Sequence, residues 1–211
     1  MDFISKKQDG FTIIELVMSI FVLSIAVVGI FNAFSIVTIL TSDSSDRLVA
    51  AYLAQEGMEI VRNIRDTNWL NMDTCISETC LYHWDDGLNL SSCSSTGCEA
   101  DYNSTVLSGS FGSYLRIDPF KFDSAGSGFY NYDVMGSETK FKRKIKVSQV
   151  ADADITDEEA LDHIIDVIVE VTWDKKATLL NSKGAAGDCG PYNCITTEEV
   201  LYNWYNYLPA I

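Results

Sequence analysis

The sequence predicts an α+β chain: a long N-terminal helix, its first half membrane-spanning and its second half amphipathic, packed on an antiparallel β-sheet with disulfide-bonded loops. Three observations lead there. An apolar stretch from Phe11 to Leu40 holds one charged residue, Glu15. A helical stripe of apolar residues follows it directly. Further on, Phe141–Val147 and Ile165–Trp173 alternate with the period of two that a half-buried strand requires.

Phe11–Leu40 is long enough to cross a membrane, since thirty helical residues rise about 45 Å. Lys6 and Lys7 precede it, and Asp43 and Asp46 precede Arg47 beyond it. The positive-inside rule then keeps the N-terminus in the cytoplasm and exports everything after Thr41. A secretory signal peptide is a poorer fit, because Phe31-Asn32-Ala33-Phe34-Ser35 does not resemble a cleavage site and the apolar run is too long. A plain anchor leaves Glu15 unexplained, since an acid inside lipid costs about 2.5–3.5 kcal/mol on insertion scales.

The helix is expected to continue to about Thr67, roughly 80 Å in all from Thr12. Val49, Leu53, Ile60 and Ile64 share one stripe with Gly57 between them, and Gln55, Glu59, Arg62 and Asp66 line the opposite face. Glu59/Arg62 and Arg62/Asp66 are spaced to interact along that face. After Trp69 the composition turns to Asn, Asp, Ser, Thr, Gly and Cys until about Ser110, which predicts loops. One hairpin is expected there, with Leu81–Trp84 and Leu88–Leu90 flanking Asp85-Asp86-Gly87.

Strand candidates follow at Phe111–Asp118 and Phe129–Val134. Phe141–Val147 puts Lys142, Lys144 and Lys146 on one face. Ile165, Val167, Val169, Val171 and Trp173 form the buried face of the next strand, with Asp166 and Glu170 opposite. Antiparallel pairing would set the lysine face against the acids, so the basic run reads as a solvated sheet face. Glu198–Trp204 is the last strand. The organisation is then 1–10 leader, 11–40 membrane half of the helix, 41–68 exported half, 69–110 cysteine loops and 111–211 sheet.

Six cysteines fall as Cys75/Cys80, Cys93/Cys98 and Cys189/Cys194, all beyond the apolar segment. Such regular spacing in polar loops indicates disulfides and an oxidising compartment. Two connectivities remain open: local closure of each pair, or a nested staple of Cys80 to Cys93 and Cys75 to Cys98 across the hairpin. Zinc ligation by the first four is a third arrangement. Cys189–Cys194 has two residues too many for a Cys-x-x-Cys redox motif.

The formal charge of −15 disfavours nucleic acid, and no basic patch offers a site for it. With only His83 and His163, histidine-based catalysis and metal binding have few residues to draw on. Asp152–Glu159 is acidic enough to suggest calcium. It lacks the central glycine and final glutamate of an EF-hand loop, the twelfth place being His163, so it reads as a solvated loop. No nucleophile, base and oxyanion constellation is present, so neither an enzyme nor a cofactor or metal site is expected.

Lys6-Lys7-Gln8-Asp9-Gly10 followed by Phe11-Thr12-Ile13-Ile14-Glu15 resembles the processing site of type IV prepilins and pseudopilins. The resemblance covers about thirty residues. It implies cutting between Gly10 and Phe11 by a prepilin peptidase, N-methylation of the new Phe11 amine, and an assembly charge pair between that amine and Glu15. It also implies other pilin subunits, an inner-membrane assembly platform and membrane lipid as partners. The chain would first be a single-pass cytoplasmic-membrane protein and then part of an extracellular or periplasmic filament. Asn32 stands where many major pilins have proline, and the loops are long, which favours a minor pilin or a pseudopilin. Val171-Thr172-Trp173-Asp174 and the last strand are similar to minor pilins of the pilin V group. The alternative is a membrane-anchored binding or adhesion module that never polymerises.

Overall fold

A computed structural model describes residues 10–74, 83–109, 111–117, 128–150, 164–176 and 183–203. The chain divides into two units, Met1–Ser45 and Asp46–Ile211. One helix, α1 (Ile13–Thr74), accounts for the described part of the first unit and enters the second. A short helix α2 (Leu90–Cys93) and six strands follow: β1 (Arg116–Ile117), β2 (Tyr130–Asn131), β3 (Ser137–Glu138), β4 (Phe141–Gln149), β5 (Ile164–Trp173) and β6 (Cys194–Tyr202). The fold is the expected α+β, with the helix packed on antiparallel sheet.

The main sheet has the order β4-β5-β6, antiparallel throughout. Its register sets Lys144 opposite Glu170 and Val147 opposite Val167. Phe141, Ile145 and Val147 of β4 and Ile165, Val167, Val169, Val171 and Trp173 of β5 turn inward. They meet Ala50, Leu53, Ala54, Met58, Val61 and Ile64 of α1 in one core. A small sheet, β2-β1-β3, lies beside β4. There the Leu115 amide donates to the Phe141 carbonyl at 2.9 Å.

Gly57 permits the helix and sheet to approach. A Cβ there would lie 2.8 Å from Val169 Cγ1 and 2.9 Å from Arg143 Cδ, so any side chain would force the layers apart. Beside it sits Arg143, a cation with 0% exposure on the inward face of β4. Its guanidinium donates to the carbonyls of Leu53 at 3.2 Å and Ala100 at 2.6 Å. It also lies 3.3 Å from the Glu56 carboxylate. Tyr132 donates its hydroxyl to the Arg143 carbonyl at 3.3 Å, and burial pushes that phenol well above its ordinary range. The apolar layers are thus pinned at one point by charge-assisted hydrogen bonds.

Several elements depart from the sequence expectation. Among the described residues α1 runs to Thr74, past the expected Thr67. Its last turns have tertiary partners: Asn68 donates to the carbonyls of Trp84 and Asp86, and Trp69 Nε1 donates to Asn203 Oδ1 at 3.1 Å. Arg62 does not lie on a free face; it pairs with Glu199 of β6 as well as Glu59. Asp66 pairs with Arg65 in place of Arg62. The Asp85–Gly87 segment does turn, with Gly87 at φ 78°, but the chain then enters α2 and makes no strand after the turn. Phe111–Asp118 and Phe129–Val134 shrink to the two-residue strands β1 and β2 among the described residues. β6 begins at Cys194, four residues before the expected Glu198, and Trp204 lies outside the described residues.

The lysine face of β4 meets the acid of β5 as expected and is half-buried. Lys142 stands 4.3 Å above the Tyr114 ring and Lys144 stands 4.6 Å above the Phe111 ring. Lys144 and Lys146 both reach Glu170, at 3.3 and 2.9 Å. Burial alone would raise the Glu170 carboxyl, but the hydrogen bond from Lys146 and the charges of both lysines outweigh it and hold the group below its ordinary value. The segment 111–115 therefore closes over the basic run through cation–π contacts.

Candidate functional site

Helix α1 starts with a capping arrangement written in Thr12-Ile13-Ile14-Glu15. The Thr12 carbonyl accepts the amides of Glu15 at 3.1 Å and Leu16 at 3.2 Å. Its hydroxyl accepts the Glu15 amide at 3.4 Å. Thr12 is thus the N-cap residue and Glu15 the third residue of the helix, the spacing of a capping box. A carboxylate in that first turn also faces the positive end of the helix dipole. Gly10 and Phe11 precede the cap and are exposed, Phe11 at 82%, with open space around Gly10.

From Ile13 to Thr38 the helix surface is mostly apolar and exposed. Among the described residues it is the one helix long and apolar enough to cross a membrane, and none of its apolar window is buried. Its hydroxyls are internally satisfied: Ser19, Ser24, Ser35, Thr38 and Thr41 each donate to the carbonyl four residues back, at 2.7–3.0 Å. This is how a polar side chain is tolerated where no water is available. The Glu15 carboxylate has no such partner among the described residues. Gly29 and Asn32 lie inside the helix without interrupting it.

Two of the cysteine pairs are closed locally: Cys93–Cys98 and Cys189–Cys194, each with Cα atoms 5.0 Å apart. Those four sulfurs are therefore not zinc ligands, and Cys93–Cys98 excludes the nested staple. Cys98 also bridges to Ile145 of β4, so the first disulfide fastens the loop to the sheet. Cys75 and Cys80 lie outside the described residues, as do Asp152–Glu159 and His163. Among the described residues, no three of His, Cys, Asp and Glu gather as a metal ion would need. A shallow cavity of about 330 Å³ borders the second disulfide, lined by Ala185, Pro191, Tyr192 and Asn193 among others. Lys183 and Asp188 also line it.

Residues 5–31 match the prokaryotic N-terminal methylation motif. That is the type IV pilin and pseudopilin signature. No curated protein and no solved structure matches the chain. The signature covers the residues ahead of the pilin-type helix and most of its apolar stretch; the disulfide-bonded head lies beyond it. Arg143 and Glu56, which join helix to sheet, were missed by sequence reasoning. The signal available was an arginine on the apolar register of β4, between Phe141 and Ile145.

Proposed function

We propose that the chain is a structural subunit, a minor pilin of the pilin V type or a pseudopilin, of a type IV pilus or a type II secretion-like filament. Prepilin peptidase cuts between Gly10 and Phe11 on the cytoplasmic side, and the new Phe11 amine is N-methylated. The subunit waits in the cytoplasmic membrane with its C-terminal part exported. The assembly platform then draws it into a filament beside other pilin subunits. Residues 11–40 serve as the membrane half of the helix, 41–68 as its exported half, 69–110 as cysteine loops and 111–211 as sheet.

The observation that carries this reading is one carboxylate, Glu15, with no partner among the described residues, at the capped start of an uncovered apolar helix that bears the methylation motif. Leaving lipid removes water and headgroups from Glu15, and an amine brought against it offsets the cost of a buried charge. The cleaved Phe11 amine, its own or a neighbour's, is that cation. In the Glu15→Val variant, cleavage and membrane insertion persist while the protein disappears from sheared, purified filaments. Normal incorporation of that variant would remove the proposed role of the charge pair.

A further inference from the structure

Two segments of the chain read asparagine, any residue but proline, then serine or threonine: Asn89-Leu90-Ser91 and Asn103-Ser104-Thr105. In an exported protein that triplet marks an asparagine able to accept a glycan, provided it lies on a surface loop. The fold treats the two differently. Asn89 is exposed, yet its side-chain nitrogen donates to the Leu107 carbonyl, and its backbone, left-handed at φ 47°, starts α2. The Asn89 carbonyl accepts the amides of Ser92 at 3.0 Å and Cys93 at 2.9 Å, and Cys93 is fixed by its disulfide to Cys98. A nitrogen bonded in that setting meets an incoming group only if the start of α2 is undone.

Asn103 sits in a turn whose backbone is held while its side chain is free. The Ser104 amide donates to the Asp101 carbonyl at 2.9 Å, which closes the turn Asp101–Ser104. Asp101 Oδ1 accepts the Asn103 amide at 3.2 Å and the Ser104 hydroxyl at 3.0 Å. The Asp101 amide donates back to Ser104 Oγ at 2.9 Å. Aspartate at the first position suits such a turn. Tyr102 rests against the Phe129 ring, 5.0 Å between centroids, and ties the turn to the segment before β2. These bonds use backbone groups and the side chains of Asp101 and Ser104, never that of Asn103. Asn103 and Thr105 are both exposed, and neither side chain has a hydrogen bond among the described residues.

We propose that Asn103 is an N-glycosylation site, the acceptor of an oligosaccharide carried on a polyprenyl diphosphate and transferred on the exported side of the membrane. Asn103 Nδ2 attacks C1 of the first sugar of the donor. A C–N bond forms, and the bond from C1 to the diphosphate oxygen breaks. Its electron pair leaves with the diphosphate, and one amide proton passes to a base of the transferase. Thr105 supplies the hydroxyl that the triplet requires. Such triplets also arise by chance, as at Asn89; the built turn and the free Asn103 and Thr105 side chains set this one apart. The product carries a bulky, solubilising group on the disulfide-bonded head. The proposal rests on the reading above that the C-terminal part is exported.

The test expresses the full-length protein in bacteria that hold an oligosaccharyltransferase facing the exported side and its polyprenyl diphosphate-linked oligosaccharide. A control acceptor protein in the same cells must carry the glycan. Peptide mass spectrometry then locates the sugar, and alkylation without reductant reports whether Cys93–Cys98 has closed, which marks export. The inference predicts glycan on Asn103 and none on Asn89, lost in N103Q and T105V and kept in T105S and N89Q. N103Q leaves the bonds of the turn in place, so a closed Cys93–Cys98 in that variant separates loss of the acceptor from loss of the fold. A closed Cys93–Cys98 with bare Asn103 in the parent overturns the site and leaves the exported reading intact. Free thiols at Cys93 and Cys98 overturn the exported reading, and the site with it. Equal glycan on Asn89 and Asn103 overturns the selection by the fold. Sugar on a serine or threonine, or its retention in T105V, overturns the assignment of the triplet.

Discussion

Replacing Arg143 with Met removes the charge that joins helix to sheet while keeping most of its volume. The change leaves the Ala100 carbonyl without its Arg143 donor and the Glu56 carboxylate without its cation. Removing one member of a buried pair typically costs 3–5 kcal/mol; Glu56 keeps 28% exposure, so the expected loss is about 3 kcal/mol. With a urea dependence of about 2 kcal/mol per molar, the midpoint should fall by about 1.5 M. The assay is urea unfolding of the full-length protein in detergent with disulfides intact, followed by the fluorescence of the buried Trp69, Trp84 and Trp173. The double variant Arg143→Met/Glu56→Leu should recover about 1–3 kcal/mol relative to the sum of the single changes, because no orphaned charge remains. A single Arg143→Met variant within about 0.5 kcal/mol of the parent would refute the clamp.

Gly57→Val should destabilise by about 1–3 kcal/mol, since a side chain there meets Val169 and Arg143; an unchanged urea midpoint would show that the layers can separate freely. Glu170 is held below its ordinary carboxyl value of 4.5, so its contribution is fully present above that pH and is lost as pH falls through the lower folded value. Glu170→Gln should therefore flatten the acid limb of stability measured between neutral pH and pH 3, and an identical acid limb would contradict the lysine contacts. Cys93 and Cys98 are both 0% exposed, whereas Cys189 is exposed. Mild reductant followed by alkylation and peptide mass spectrometry should label Cys189 and Cys194 before Cys93 and Cys98; the reverse order would count against the described packing.

What the sequence reveals divides along physical lines. The apolar helix and the two long strands β4 and β5 were legible, because a repeated period and a low-dielectric segment leave strong compositional traces. The meeting of the lysine face of β4 with the acids of β5 was legible from alternation and charge; the register that sets Lys144 against Glu170 was not. Arg143 escaped notice because, although alternation sets it on the apolar register, its partners come from α1 and the loop at Ala100. The end of α1 was misplaced because Asn68 and Trp69 are held by residues far along the chain, Trp84 and Asn203. The turn at Asp86-Gly87 was found, but its continuation into α2 depends on tertiary bonds such as Leu107 to Gly87. The start of the helix near Thr12 needs no distant partner and was legible, whereas the Thr12 cap was found only in the structure.

The central claim is that this chain is cut ahead of Phe11 and works through the amine so exposed and Glu15. Mass spectrometry of the N-terminal peptide from protein isolated from its own cell membrane tests it most directly. The account predicts a peptide beginning with N-methylated Phe11 and lacking residues 1–10. A protein that still begins at Met1 in membranes that hold an active peptidase would contradict it.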